Sequence, residues 1–254
     1  MRWGRQDPYF AVITNEKFRR AKLTDDAKRE FFESGRYHVN YVLDAASRLL
    51  GRTIEPQRAL DFGCGVGRVA LPLAERVPQV VGIDVSPDML DEMDRNAQAQ
   101  SLRNVQGALS DATLSAVSGT FDFVHSCITF QHIPPARGLR LFQRLVELLD
   151  AGGVGAIQIT CAKSYHADTY GQPPRPEVPP SAVVDLRARA VEQAASRDPE
   201  MQMNAYNLSE LAFILQAAGV TSFKADFTDH GGELGVFLFF EKPTAPRSSA
   251  DQLG

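Results

Sequence analysis

Between residues 58 and 160, apolar runs of strand length alternate with segments of helical periodicity, and this alternation constrains the fold more than any other feature. The runs are too short for helices and long enough for strands. We predict strands at 58–62, 80–84, 105–108, 121–126 and 154–160. The helices between them are predicted at 69–76, 87–100 and 139–149, the second with Ser86 as its N-cap and the last ending at a Gly152–Gly153 turn. This order predicts a parallel sheet with helices on both faces.

The flanking segments extend this pattern. Helical periodicity at 25–32 and 38–50 precedes it, and a proline-rich stretch with a polar helix near 182–196 interrupts it. A helix at 208–218 and two strands near 222–227 and 234–241 follow, and the short connection between the strands suits an antiparallel pair. The expected fold is therefore α/β, with a mostly parallel, seven-stranded, doubly wound sheet whose last strand is antiparallel.

The same pattern divides the chain into a core and three accessory segments. We expect an amino-terminal helical lid, a cap inserted after the fifth strand, and a flexible tail. The predicted boundaries are 1–50 for the lid, 51–161 and 207–243 for the two parts of the core, 162–206 for the insertion and 244–254 for the tail.

The composition limits the class of function. The 254 residues carry a formal net charge of −4, so no overall basic charge favours a nucleic-acid partner. No apolar run approaches the ~20 residues that a membrane span needs, and the first residues lack the apolar stretch of a signal peptide. The cysteines, Cys64, Cys127 and Cys161, do not have the paired spacing of a metal site. We therefore expect a cytoplasmic protein without a metal and without a membrane contact.

A glycine-rich loop follows the first predicted strand. It runs from Asp61 to Arg68 with glycines at 63, 65 and 67, and glycines at such a bend let the backbone approach a ligand closely. Asp84 closes the second strand, where a carboxylate can accept from both hydroxyls of an adenosine ribose. Asp111 follows the third strand, where it can accept from the adenine amino group. Because the carboxyl ends of parallel strands share one edge, these residues predict an adenosine-binding site.

Over residues 55–241 the sequence resembles the class I S-adenosylmethionine-dependent methyltransferases, including the closing antiparallel strand pair. The resemblance implies a Rossmann-like small-molecule methyltransferase with S-adenosyl-L-methionine as cofactor. It implies that Asp61 contacts the methionine amino group, that Asp84 binds the ribose, and that Asp111 and Ala112 bind the adenine. Residues 121–127 resemble the family's fourth motif, whose end lies beside the methyl group. The implied cofactor-binding residues are Asp61, Gly63, Cys64, Gly65, Asp84, Val85, Asp111, Ala112, Ser126 and Cys127.

The chemistry of methyl transfer suggests one catalytic candidate. Transfer of a methyl group from a sulfonium is a direct displacement by a nucleophile. We expect this nucleophile to be an oxygen or nitrogen atom of a small molecule. A hydroxyl acceptor usually needs a general base, and His132 follows the fourth strand on the cofactor side. The segment around His132 also resembles a family variant in which the histidine supports the loop. We interpret His125 as a core histidine, and His38, His166 and His230 as weaker candidates.

Aromatic residues in the accessory segments have two interpretations. They can cover the cofactor, since the electron-rich face of an aromatic ring attracts a sulfonium cation. They can instead form a hydrophobic cluster that joins the amino-terminal segment to the sheet. The residues concerned are Trp3, Tyr9, Phe10 and Tyr37. Similarly, the insertion, with Tyr165, Tyr170 and Arg175, is either a substrate cap or a variable surface loop.

Two other functions are compatible with parts of this pattern. A glycine-rich loop with Asp84 also suits a nicotinamide-dependent oxidoreductase, although Gly67 comes one position too early for Gly-x-Gly-x-x-Gly. Because methyl transfer requires no signature catalytic residue, a non-catalytic protein that binds S-adenosylmethionine is the second alternative. The sequence does not indicate the acceptor or the oligomeric state.

Overall fold

The computed structural model describes residues 2–163, 204–229 and 233–244, and a seven-stranded sheet forms its centre. The strands are β1 Arg58–Phe62, β2 Gln79–Asp84, β3 Val105–Leu109, β4 Phe121–Ser126, β5 Leu149–Lys163, β6 Phe223–Asp229 and β7 Glu233–Glu241. Their order in the sheet is β3-β2-β1-β4-β5-β7-β6. β7 is antiparallel to both of its neighbours, whereas β1 to β5 pair in parallel. The predicted mostly parallel sheet with an antiparallel last strand is confirmed.

Helices cover both faces of this sheet. In the described residues they are α1 Arg2–Gln6, α2 Pro8–Val12, α3 Asp25–Leu50, α4 Ala70–Ala74, α5 Pro87–Ala99, α6 Pro135–Glu147 and α7 Leu208–Ala217. Buried side chains of α3, α4 and α5 form one core with one face of the sheet, and those of α6 and α7 form a second core with the other. The predicted doubly wound arrangement is thereby confirmed. Within the described ranges, no helix combines the length and the apolar character that a bilayer span needs.

The amino-terminal helical region differs from the prediction. The sequence predicts two helices, 25–32 and 38–50, whereas α3 is one continuous helix of 26 residues. Thr24 begins it by accepting from the Ala27 N–H at 3.1 Å. The predicted break contains Gly35, which is buried inside the helix, and a Cβ at this position would collide with the backbone of Arg68. Gly35 therefore does not end a helix; it lets α3 approach the glycine-rich loop closely.

The boundary between α6 and β5 also differs from the prediction. α6 begins at Pro135 rather than Leu139. Proline is favourable at the first helical position because it lacks the N–H that would have no partner within the helix there. β5 already begins at Leu149, so the predicted Gly152–Gly153 turn lies inside the range of the strand. There the Gly152 N–H donates to the carbonyl of Lys242 at 2.7 Å. The chain after β7 thus pairs with the residues that the sequence assigns to a turn.

The sheet order creates a crevice at one edge. β1 lies between β2 and β4, so the direction in which the chain crosses the sheet reverses at β1. The helices that follow β1 and β4 lie on opposite faces. Such a reversal separates the loops at the carboxyl ends of the two strands and leaves room for a ligand between them.

Several predictions concern residues outside the described ranges. These are the polar helix near 182–196, nearly all of the 162–206 insertion with Tyr165, His166, Tyr170 and Arg175, and His230 between β6 and β7. The predicted tail, 244–254, lies outside as well except for its first residue. The substrate-cap interpretation of the insertion stays a prediction.

Candidate functional site

A cavity of about 480 Å³ lies in the crevice at the carboxyl ends of β1, β2 and β4. Three residues of the amino-terminal segment, Ala11, Val12 and Thr14, line it together with the loops after these strands. The predicted site residues that line the cavity are Asp61, Gly63, Cys64, Gly65, Asp84, Val85, Cys127 and His132. The structure therefore brings most of the predicted site together, with the exceptions described below.

Asp84 ends β2 and is half-buried at the cavity. Its Oδ2 accepts from the Gly65 N–H at 3.0 Å, and its Oδ1 accepts from the Ser86 N–H at 2.9 Å. The sequence favours Ser86 as the cap of α5, but the Ser86 hydroxyl makes no capping hydrogen bond. Burial raises the pKa of the Asp84 carboxyl, while the backbone donors oppose that shift. Since each carboxylate oxygen has two lone pairs, both can still accept from a ligand.

The glycine-rich loop is tied to the sheet by its own backbone. The N–H groups of Gly63 and Cys64 both donate to the carbonyl of Ile83, at 2.7 and 3.0 Å. Gly65 has a φ of +54°, and a Cβ there would lie 2.8 Å from Cγ2 of Val12. The sequence explains these glycines by the approach of a ligand. The structure adds that Gly65 accommodates the amino-terminal segment against the loop.

Asp61 and His125 are register partners on the neighbouring strands β1 and β4, and both line the cavity. Nδ1 of His125 lies 2.8 Å from Oδ1 of Asp61, and Nε2 of His125 lies 3.0 Å from Nε2 of His38 on α3. Asp61 and His125 are almost fully buried. The interpretation of His125 as a core histidine is therefore incomplete, because its hydrogen bonds connect a cavity carboxylate to α3.

Arg68 is a cavity residue for which the sequence predicts no role. It is the last residue of the glycine-rich loop, lines the cavity and is partly buried. Its guanidinium makes no hydrogen bond or ion pair with any residue of the described ranges. A partly buried cation without an anionic partner favours the binding of an anionic group in the cavity. The signal in the sequence is only that Arg68 directly follows the last glycine of the loop.

The loop after β4 forms the opposite wall. Ser126 is expected at the cofactor but does not line the cavity. It is fully buried, and its hydroxyl donates to the carbonyl of Phe62 at 2.9 Å. Ile128 and Thr129 line the cavity after Cys127. Ile128 has a φ of +55°, which is strained for a β-branched residue, and its N–H donates to Oε1 of Gln158 at 3.0 Å. The wall therefore depends on a strained residue that the sequence does not reveal.

His132 lies on the cavity wall in a 3₁₀ turn, Phe130–His132. Its Nε2 is 3.4 Å from the side-chain amide nitrogen of Gln131. Oε1 of Gln131 accepts from the Thr160 hydroxyl at 2.8 Å, which holds the amide in place on β5. The imidazole thus faces the cavity and also belongs to a loop network, so the structure is compatible with both interpretations of this histidine.

Asp111 and Ala112 lie outside the cavity, and Ser110 lines it in their place. The exposed Asp111 carboxylate accepts from the N–H groups of Thr113 and Ser115, at 2.8 and 3.0 Å, and from both hydroxyls. The Ser115 hydroxyl contributes most to lowering the pKa of Asp111, followed by the two backbone donors. This carboxylate is already satisfied by its own turn, as loop aspartates commonly are.

The amino-terminal aromatic residues do not cover the cavity where their side chains are described. Tyr9 is buried against Phe31 at a ring distance of 5.1 Å, and its hydroxyl donates to Asn96 at 2.8 Å. Phe10 stacks under Arg19, and Tyr37 is 77% exposed. The cluster interpretation holds for Tyr9, and small side chains of the same segment line the cavity instead.

The cysteines are free thiols and do not form a cluster. Burial raises the pKa of Cys127 to about 12 and also raises the pKa values of Cys64 and Cys161. Among the described residues, no group of three or more His, Cys, Asp or Glu side chains could hold a metal ion. Cys127 therefore lines the cavity as a neutral thiol.

Part of the chain that forms this site is similar to known methyltransferases. Residues 59–153 match the family described as "Methyltransferase domain". Aklanonic acid methyltransferase of Streptomyces sp. strain C5 is 33% identical over 108 residues, which are 41% of this chain and 48% of that protein. Trans-aconitate 2-methyltransferase of Deinococcus radiodurans is 38% identical over 104 residues, 40% of this chain and 37% of that protein. The matches thus span less than half of these relatives.

A solved structure extends the similarity of the fold to nearly the whole chain. Magnesium protoporphyrin IX methyltransferase from Synechocystis PCC 6803, solved with bound SAH, superposes with a TM-score of 0.58 at 18% identity. The superposition covers 92% of this chain and 93% of that one. At this identity the match concerns the fold alone, and it agrees with the sheet order described above.

Proposed function

We propose that the chain is a class I S-adenosylmethionine-dependent methyltransferase that transfers the methyl group of S-adenosyl-L-methionine to an oxygen or nitrogen atom of a small molecule. The match of residues 59–153 to a methyltransferase domain supports this proposal. The observation that carries this proposal is the placement of Asp84, Asp61 and Arg68 on one cavity at the point where the sheet order reverses. Their chemistry suits the two polar ends of this cofactor.

The adenosine end is assigned to Asp84. Its two oxygens are oriented by the N–H groups of Gly65 and Ser86, and each keeps a lone pair for a ribose hydroxyl. Val85 follows Asp84, the Ser110 N–H donates to the Asp84 carbonyl at 2.8 Å, and both residues line the cavity, so they would be the contacts of the base. The carboxylate is oriented before the ligand arrives, so little ordering is needed on binding.

The methionine end is assigned to Asp61 and Arg68. An α-amino acid carries an ammonium and a carboxylate, and these residues offer one partner of opposite charge for each. Oδ1 of Asp61 is engaged by His125, whereas Oδ2 has no hydrogen-bond partner among the described residues. The guanidinium of Arg68 is likewise without a partner there. The two residues therefore match a zwitterion.

The loop after β4 is assigned to the reacting end. S-adenosylmethionine supplies an electrophilic methyl carbon on a cationic sulfur, and the acceptor displaces that sulfur directly. Cys127, Ile128 and Thr129 would exclude water from this part of the cavity and orient the acceptor. For a hydroxyl acceptor, His132 would accept the proton that the acceptor loses. An amine acceptor would need only to enter in its neutral form.

A small-molecule acceptor is favoured by two facts. The two relatives described above are named for aklanonic acid and trans-aconitate. The net charge of −4 provides no general attraction for nucleic acid. The test is transfer of a labelled methyl group from S-adenosylmethionine into a metabolite extract, with total RNA as a parallel acceptor. Label in a small molecule that disappears in His132→Ala supports both the transfer and the base, whereas label in RNA alone would contradict the choice of acceptor.

A ligand comparison tests the methionine-end assignment without turnover. Arg68→Met keeps much of the apolar length of the side chain and removes the charge, so it should weaken S-adenosylhomocysteine binding by about 1–2 kcal/mol. Binding of 5′-methylthioadenosine, which lacks the amino acid part, should not change. Calorimetric titration of both ligands measures the difference. Equal weakening of both would remove Arg68 from the methionine end.

A further inference from the structure

Three polar side chains form a continuous hydrogen-bonded chain at the cavity wall, in which Asp61 and His125 are buried and His38 is half-buried. Oδ1 of Asp61, Nδ1 and Nε2 of His125, and Nε2 of His38 follow one another at 2.8 and 3.0 Å. They come from β1, β4 and α3, three elements that are distant in sequence. Buried polar groups are costly unless they are hydrogen-bonded, so this chain needs all of its members.

The protons of this chain follow from its chemistry. Burial, together with the smaller effects of the neighbouring His125 and Arg68, lowers the pKa of His38 to about 2, so His38 is a neutral imidazole. The ionised Asp61 can only accept, so Nδ1 of His125 must donate to it. In the tautomer of His125 that carries its proton on Nδ1, Nε2 accepts from the Nε2–H of His38. Each proton in the chain thus points toward Asp61.

This arrangement leaves Asp61 with one defined free oxygen. Oδ1 is held by His125, and Asp61 still lines the cavity although only 3% of its surface is exposed. An unrestrained carboxylate could rotate and present either oxygen. A carboxylate held on one oxygen presents the other in a fixed direction, which is the condition for a strong hydrogen bond to a cation.

We propose that His125 and His38 are positioning residues that fix the free oxygen of Asp61 for the α-ammonium group at the methionine end of the cofactor. This inference rests on the proposed function. It makes α3, which precedes the matched methyltransferase domain, a supporting element of the cofactor site through His38. Neither histidine touches the reacting atoms in this assignment.

A purely structural role for the pair predicts a different result. His125 stacks on Phe237 with a ring distance of 6.3 Å and an angle of 27°, and His38 lies 5.8 Å from the same ring. His125→Phe would keep an aromatic ring in this packing and remove both hydrogen bonds. If packing alone mattered, this variant would change the free energy of unfolding without distinguishing between ligands.

The experiment compares two ligands in matched variants. Dissociation constants of S-adenosylhomocysteine and 5′-methylthioadenosine are measured by calorimetry, because only the first ligand carries the ammonium. We expect His125→Phe to weaken S-adenosylhomocysteine by about tenfold and to leave 5′-methylthioadenosine unchanged. His125→Asn, whose amide can donate in place of Nδ1, should recover most of the affinity. A selective loss of the same size is expected for Asp61→Asn, and adding His125→Phe to it should cause no further loss.

A second pair of variants tests the outer histidine and covers the case in which His125→Phe does not fold. His38→Phe should weaken S-adenosylhomocysteine alone by about threefold, and His38→Gln, which keeps a donor near the position of Nε2, should bind like the unmodified chain. Unchanged affinities, or equal losses for the two ligands in folded variants, would overturn the positioning role. If the unmodified chain binds neither ligand, the proposed function itself fails.

Discussion

The ends of β2 and β3 carry two aspartates that look equivalent in the sequence and are not equivalent in the structure. Asp84 is half-buried, lines the cavity and accepts from the backbone N–H groups of Gly65 and Ser86, one on each oxygen. Asp111 is exposed, lies outside the cavity and accepts four hydrogen bonds from Thr113 and Ser115. Asp84 is the last residue of β2, and Asp111 lies two residues after the end of the neighbouring parallel strand β3. Position at a strand end therefore places a carboxylate near the site, but the local turn decides whether its oxygens are available.

The largest expected difference between these two ends is in cofactor binding. Asp84→Ala should weaken S-adenosylhomocysteine by about 1–3 kcal/mol, because two hydrogen bonds from the ribose to a charged acceptor are lost. Asp111→Ala is the matched control and should change the dissociation constant by less than about twofold. Calorimetric titration measures both. Similar losses of affinity in the two variants, or a larger loss in Asp111→Ala, would show that the local turn does not decide which carboxylate binds the cofactor.

A smaller effect is expected from the glycine that donates to Asp84. Gly65 and Gly51 both have left-handed φ, +54° and +71°, so alanine is strained at either position. A Cβ at Gly65 would also press on Val12, whereas a Cβ at Gly51 would meet nothing within 4 Å. Gly65→Ala should therefore lower the free energy of unfolding by about 1 kcal/mol more than Gly51→Ala, measured by urea denaturation.

The control for this prediction is the double variant Gly65→Ala with Val12→Ala, which removes the side chain that the new methyl group would press against. It should recover part of the extra loss. Equal losses in Gly65→Ala and Gly51→Ala would mean that the amino-terminal segment does not pack on the loop as described.

The smallest expected effect is a difference in pH dependence. Burial raises the pKa of Asp84 above its unfolded value, so ionised Asp84 lowers the free energy of unfolding at neutral pH, and this penalty is relieved as the pH falls through the folded pKa. Hydrogen bonds from Ser115 and Thr113 lower the pKa of Asp111. Asp111 therefore stabilises the fold above its unfolded pKa of about 4, and this stabilisation is lost on acidification.

Denaturation curves between pH 7 and about pH 3 test these opposite signs. Compared with the unmodified chain, Asp84→Asn should lose stability more steeply on acidification, and Asp111→Asn less steeply. Parallel curves for all three proteins would show that the two carboxylates do not differ as described.

Most of the fold could be predicted from the sequence because parallel strands and their covering helices leave a periodic apolar pattern. The prediction was wrong where a tertiary contact overrides a local signal. The predicted break between two helices contains Gly35, which instead allows α3 to approach the backbone of Arg68 closely. The predicted turn contains Gly152, whose N–H instead donates to the carbonyl of Lys242. Both contacts are made with residues distant in the sequence, so the local sequence around Gly35 and Gly152 does not indicate them.

Only part of the candidate site could be predicted from the same periodic pattern. Residues at the carboxyl ends of β1 and β2 reach the cavity because the sheet places them there. The sequence did not distinguish the cavity-facing Asp84 from the self-satisfied Asp111. It also gave no role to Arg68 and treated His125 as core, because the pairing of His125 with His38 depends on how α3 packs on β4. These assignments need side-chain directions, which periodicity does not supply.

We propose that the cavity holds an adenosyl group with its ribose on Asp84 and its amino acid end between Asp61 and Arg68. A crystal structure of the chain with S-adenosylhomocysteine tests it most directly. We predict both ribose hydroxyls within hydrogen-bond distance of the Asp84 carboxylate and the ammonium group on the free oxygen of Asp61. A ligand bound in the reverse direction, or bound away from Asp84, would show that this assignment of the cavity is wrong.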